Sequence, residues 1–182
     1  MGASAMAVAF PLFGNSVLDY LFTLRLASAF FEAMLAIRPA EPADLPAIAA
    51  LDARLTGQAK AAYWQGLLEQ YAGGPPSRHF LVAETERGRL AGLVVGEVRA
   101  WEFGQPAAGW VFAIQVDPHL RLRRVGSALF EALCARFREQ GVRRVRTLVD
   151  RRDNLILSFF RGQGMTAGPS LQLDRDLDEA GP

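Results

Sequence analysis

Three arginines, Arg121, Arg123 and Arg124, stand in a short stretch between a proline and a glycine: Val116-Asp117-Pro118-His119-Leu120-Arg121-Leu122-Arg123-Arg124-Val125-Gly126-Ser127-Ala128. An apolar run, Trp110 to Val116, comes before it, and a helical spacing of apolar residues follows. A strand, a cationic loop and a helix start make a place for phosphate. The amides of a first helical turn have no partner within the helix, and the helix dipole favours an anion beside them. Arginine side chains add charge-assisted hydrogen bonds. An exposed turn before an ordinary helix is the other reading of the same residues.

Two carboxylates are candidates for proton transfer. Glu97 follows Leu93 and Val95 on one face of an apolar strand, where loss of solvent would raise its pKa toward a value useful to a general base. Its other reading is a strand-end residue paired with Arg99. Glu102, between Trp101 and Phe103, would suit the lip of an acceptor site or a plain rim. His79 and His119 are isolated from any carboxylate cluster, so no metal site is expected. Cys134 is the one cysteine and sits in a helical pattern, which predicts a buried, inert thiol.

Composition narrows the class. With 182 residues, 51% of them hydrophobic, the chain is long enough to bury a real core. A formal net charge of +1 gives no global attraction to nucleic acid. Arg143, Arg144, Arg146, Arg151 and Arg152 are split by strand alternation and have no aromatic recognition motif with them, so no nucleic-acid partner is expected. Residues 1–34 are apolar but interrupted by Asp19, Arg25 and Glu32, which predicts no stable membrane insertion. This segment reads as an N-terminal extension, or as a start-site artefact, ahead of a domain spanning 35–182. Val17 to Phe31 could form an amphipathic helix, and a homodimer is the assembly to look for. The expected location is cytoplasmic.

The elements that would position these residues follow from periodicity. Leu35 to Arg38 reads as a strand. Asp44 would cap a helix carrying Leu45, Ile48, Leu51 and Leu55, and a second helix runs from Gln58 to Tyr71. Strands follow at Phe80–Glu84, Leu90–Ala100 and Trp110–Val116. A helix over Gly126–Gln140 carries Leu129, Leu133 and Phe137 on one face. A strand at Val142–Val149, a helix at Asp153–Gly162 and a last strand at Ser170–Leu177 complete the order. Strand 90–100 is apolar on both faces, so the expectation is an α/β fold whose single mixed sheet is covered on both sides.

In this order and spacing the chain resembles the GNAT-type N-acetyltransferases over about residues 35 to 177. Two motifs carry the resemblance. One is Val116-Asp117-Pro118 followed by the arginine loop and Ala128-Leu129-Phe130-Glu131-Ala132-Leu133. The other is Asp153-Asn154 with Phe159-Phe160 before Gly164-Met165. The resemblance implies a central, mostly antiparallel sheet with helices on both faces, and direct transfer of acetyl from acetyl-CoA to a primary amine of a small molecule or peptide. It places the thioester's hydrogen-bond donor in the backbone near Ile114, Gln115 and Val116. It places the coenzyme on Arg121, Leu122, Arg123, Arg124, Val125, Gly126 and Ser127, with Asn154 and Phe160 contributing from the later helix.

The chain departs from the family pattern in two places. Without a gap, Arg121 takes the motif's arginine and Gly126 its last glycine, which leaves Arg124 where the middle glycine belongs and Leu122 where another is common. A second register, Arg123-Arg124-Val125-Gly126-Ser127-Ala128, fits the motif literally but lengthens the loop by two residues; the gapless register keeps the spacing on both sides. Phe160 replaces a tyrosine whose hydroxyl would protonate the departing thiolate. A family member that binds acyl-CoA or a partner without turnover is therefore the alternative to an active transferase.

Overall fold

The computed structural model describes residues 35–101 and 104–176, with the side chains of 121–123 left aside. The chain divides into two compact units, the first ending at Thr147 and the second beginning at Leu148. The expected N-terminal extension and the candidate Glu102 lie outside the described residues.

In the first unit the strands are β1 (Leu35–Pro39), β2 (Arg78–Thr85), β3 (Leu90–Arg99), β4 (Ala108–Val116) and β5 (Val145–Thr147). They form one sheet in the order β1-β2-β3-β4-β5. The first three pairings are antiparallel, and β4 and β5 run parallel. Helices α1 (Leu45–Thr56) and α2 (Ala61–Tyr71) follow β1, and α3 (Val125–Glu139) follows β4. The mixed sheet with helices on both faces is the architecture expected from periodicity.

Alternation along β3 assigns the faces. Leu93 and Val95 join a buried cluster with Ile48 and Leu51 of α1, Trp64 and Leu68 of α2, and Phe80 and Val82 of β2. Between them, Gly92 and Gly96 face α3, where added Cβ atoms would meet Leu129, Val125, Leu133 and Phe137. Gly109 of β4 continues that bare track. The absence of side chains along it lets α3 lie close on the sheet. Its own stripe, Leu129, Leu133 and Phe137, is fully buried there, as helical spacing predicts.

Three elements depart from the sequence expectation by more than two residues. Helix α2 starts at Ala61, not Gln58. The Thr56 hydroxyl bonds both the amide and the carbonyl of Gln58, holding that residue in a turn. Strand β5 covers three residues of the expected Val142–Val149, because among the described residues it has one neighbour and pairs only Gly109 to Val111. The third difference lies in the second unit.

That unit contains helix α4 (Asn154–Gly162), capped by the Asp153 carboxylate, which accepts from the Ile156 amide at 3.0 Å. The expected strand Ser170–Leu177 is absent over the described residues 170–176. Leu171 and Leu173 are 71% and 85% exposed, so the alternating pattern there finds no face to cover. Alternation favours a strand only when packing rewards it.

Candidate active site

The first feature of the site is a break in the sheet. The β3–β4 register passes from Val95↔Ala113 to Gly96↔Val111, which leaves Phe112 as the extra residue of a bulge. The β4–β5 pairing stops at Val111↔Thr147, where the Thr147 hydroxyl donates to the Val111 carbonyl at 3.0 Å. From Phe112 to Val116, β4 therefore has no strand partner on its β5 side among the described residues of this unit. Ile114, Gln115 and Val116 lie on that open edge and are partly exposed. Backbone donors along such an edge can serve a carbonyl that gains negative charge.

The second feature lies at the end of the same strand. Asp117 turns the chain into a 3-10 segment, Pro118–Arg123, and its carboxylate accepts from the His119 amide at 3.0 Å. Asp117 is fully buried and ion-paired with Arg89, at 2.5 Å, and with Arg54, at 3.4 Å. Burial opposes its ionisation, but these partners outweigh it and hold the carboxyl below the usual range. The segment ends at Arg124 in the left-handed region (φ 58°), and α3 begins at Val125. Val125 and Gly126 are buried and Ser127 is partly exposed in the first turn of α3. A 15-residue helix thus presents its N-terminus at the end of an arginine-rich loop. This arrangement suits a pyrophosphate.

The chain belongs to the GNAT acetyltransferase family. Its sequence matches the Acetyltransferase (GNAT) family over residues 45–165. No curated protein sequence matches it. Its fold is similar to an acetyltransferase from Trypanosoma brucei, at 24% identity over 79% of this chain and 99% of that one, with a TM-score of 0.61. A glucosamine-6-phosphate N-acetyltransferase from Arabidopsis thaliana gives 21% identity, 79% and 99% coverage, and a TM-score of 0.63. An aminoglycoside N-acetyltransferase solved with CoA gives 16% identity, 79% and 95% coverage, and 0.68.

Against the GNAT pattern, Arg124 acquires a definite role for its backbone. It occupies the left-handed conformation that glycine takes without strain and that costs another residue about 1–2 kcal/mol. Arg124→Gly is expected to preserve or strengthen acetyl-CoA binding and to hold or slightly raise stability. Calorimetric titration and urea unfolding check both; a clear loss of affinity would identify the guanidinium itself as a phosphate ligand.

Glu97 lies on the α1/α2 face, beside Phe112. Tyr71 donates its hydroxyl to Glu97 Oε2 at 2.8 Å, Arg99 Nε donates to Oε1 at 2.8 Å, and Arg78 Nε lies 3.3 Å from Oε2. Burial alone would raise its pKa. Arg99, Tyr71 and Arg78 reverse the sign, and the carboxyl lies below its ordinary value, contrary to the expectation from the strand pattern. Burial and the Glu97 bond push the Tyr71 phenol up to about 12. The Arg99 guanidinium sits 4.6 Å over the Phe112 ring, so Glu97 anchors a side chain that covers the bulge. This anchoring is a geometric finding, distinct from a base.

Asn154 and Phe160 belong to the second unit. Asn154 is exposed at the first position of α4, and Phe160 is buried, its ring edge-on to Phe159 at 5.1 Å. Cys134 is buried, and burial pushes its thiol up to about 11, in keeping with an inert core residue. Among the described residues no group of His, Cys, Asp or Glu could hold a metal ion, and no helix is long and apolar enough to cross a membrane.

Spacing alone assigns no role to two polar groups near the site, Asp117 and Asp52. Asp117 stands in the motif Val116-Asp117-Pro118, where nothing local shows that it is buried and ion-paired. Asp52 of α1 is fully buried, and Gln115 Nε2 donates to its Oδ1 at 2.9 Å. The signal for Asp52 was present. Ile48, Leu51, Asp52 and Leu55 follow i, i+3, i+4, i+7, so an acid occupies a place in an apolar stripe.

Proposed function

We propose that this protein is a cytoplasmic N-acetyltransferase that moves acetyl from acetyl-CoA to a primary amine of a small molecule. The observation that carries this reading is the open edge of β4 from Phe112 to Val116, running directly into the Asp117 turn and the N-terminus of α3. Pantetheine would lie along that edge. The pyrophosphate would rest on the backbone of Arg124, Val125, Gly126 and Ser127, with Arg121 and Arg123 adding positive charge. Backbone amides near Ile114 to Val116 would meet the thioester oxygen. Acetyl-CoA supplies the activated acyl group; the chain aligns it and shields it. Two proteins that share the fold are named as N-acetyltransferases of an aminoglycoside and of glucosamine 6-phosphate, which supports a small-molecule acceptor.

Glu97, paired at both oxygens, fits the positioning of Arg99 and Tyr71 better than proton removal. The amine would then lose its proton to water, and the thiolate would leave without help from Phe160, which has no hydroxyl. A missing general acid is typically worth about 10²–10⁴-fold in rate, so turnover should be slow but measurable.

The test is titration with acetyl-CoA by calorimetry, with ATP as the control for generic phosphate attraction, followed by thiol release on a panel of primary amines. Saturable binding of acetyl-CoA but not ATP, with amine-dependent thiol release, is expected. Binding without release would instead favour the family member without turnover, which Phe160 motivates. No binding would remove both.

A further inference from the structure

A buried polar cluster on the α1/α2 face is not used by the reading above. Asp52 has no exposed surface, and its Oδ2 lies 3.3 Å from Nζ of Lys60 at the start of α2. Among the described residues, four buried side-chain polar atoms complete no hydrogen bond, and three of them gather here: Asp52 Oδ2, Gln115 Oε1 and Trp64 Nε1. A buried polar atom without a partner is costly to leave unmatched. Two of these three are acceptors, one on the carboxylate and one on the amide that bonds that carboxylate. The Trp64 indole N–H also acts on the Asp52 carboxylate and helps hold it ionised, but it has a single proton to give; what the two acceptors lack is a donor with several. An alkylammonium has three.

Lys60 already shows the kind of group that fits. It is the only lysine among the 20 lysine and arginine residues of the chain. Its side chain is 44% exposed, so its ammonium comes to Asp52 from the solvent side on a flexible stem. An ammonium is a compact point charge, whereas a guanidinium is a planar fork, and only the former imitates an aliphatic amine. Gln115 belongs to the open part of β4, so a nitrogen seated against its side chain would lie on the strand along which we place the thioester.

We propose that Asp52 and Gln115 form a seat for the ammonium group of the acceptor, and that Lys60 is an internal cation holding that seat until the acceptor displaces it. The acceptor class is then an aliphatic amine that arrives charged, not a neutral aromatic amine. Its use in catalysis rests on the acetyl-transfer reading; the seat itself does not. Asp52 binds and positions the nitrogen, and water takes its proton.

Lys60→Ala removes the internal cation and leaves the buried carboxylate to be met from solution. In K60A, added n-butylammonium is expected to raise Tm saturably by about 3 °C, while n-butanol leaves it unchanged. Adding Asp52→Asn in the same chain should abolish the response. Lys60→Met, which keeps most of the stem, is the second variant should K60A fold poorly. A variant indifferent to n-butylammonium, or equally responsive to n-butanol, overturns the proposal. In wild-type background D52N should raise KM for butylamine about tenfold and change kcat less. A Tm response without acetyl transfer would sink the transfer reading and keep the seat; transfer without the response would do the reverse.

Discussion

Gly109→Ala is expected to remove about 3 kcal/mol of stability, a large share of the roughly 5–15 kcal/mol that holds a domain folded. A Cβ on Gly109 would lie 2.3–2.7 Å from three ring carbons of Phe137, which is only 1% exposed. The ring cannot swing aside into solvent, and the Gly109 amide is fixed by a 2.9 Å bond to the Arg144 carbonyl. Either the ring or β4 must shift, and β4 carries the open edge of the site. Urea midpoints would measure the loss. Phe137→Leu in the same chain should recover part of it, because the two residues compete for one space. The contrast is Gly66 on α2, where a Cβ meets nothing within 4 Å. Gly66→Ala should raise stability by about 0.5–1 kcal/mol through helix propensity alone. Equal effects at the two positions would refute the packing argument.

Asp117→Asn carries the other large effect. The carboxylate is fully buried against Arg89 and Arg54, while both arginines are about half exposed. The arginines can turn to water once their partner is neutral, which keeps the cost below that of a wholly buried pair. Asparagine still accepts from the His119 amide. About 2 kcal/mol is expected for D117N, and about 3 kcal/mol for D117A, which loses the cap as well. The pH dependence has a definite sign. The folded carboxyl titrates below its ordinary value, so its contribution is complete above the unfolded pKa of about 4 and fades as pH falls through the folded value. Wild type should therefore lose stability faster than D117N below about pH 4, and the two should converge in acid. Asp44, Asp52 and Glu97 are also held below their ordinary values, so the variant's acid limb is shallower by one group's share, not flat. A constant gap between pH 7 and pH 3 would show that Asp117 acts through shape and not charge. The same variant should weaken acetyl-CoA binding, since the turn it pins leads into α3.

Lys60 and Arg124 test narrower points. Each separates a side chain's charge from the backbone or pocket that surrounds it.

The sequence by itself determined the elements whose stabilising contacts are periodic. Leu129, Leu133 and Phe137 announced α3, and Leu93 and Val95 announced one face of β3. These signals are legible because a helix or strand repeats its own geometry, so neighbours in space are set by spacing in the chain. Tertiary structure decided what depends on partners far along the chain. Glu97 is held ionised by Arg99, two residues along the strand, and then by Tyr71, which lies 26 residues away on another element; burial alone would have implied the opposite sign. Asp52 and Asp117 are buried because residues 63 positions off, Gln115 and Arg54, come to meet them. The length of β5 and the failure of Ser170 to Asp176 to form a strand follow the same rule. A strand's alternation is local, but its hydrogen bonds and its buried face belong to a neighbour, and no single stretch of sequence supplies both.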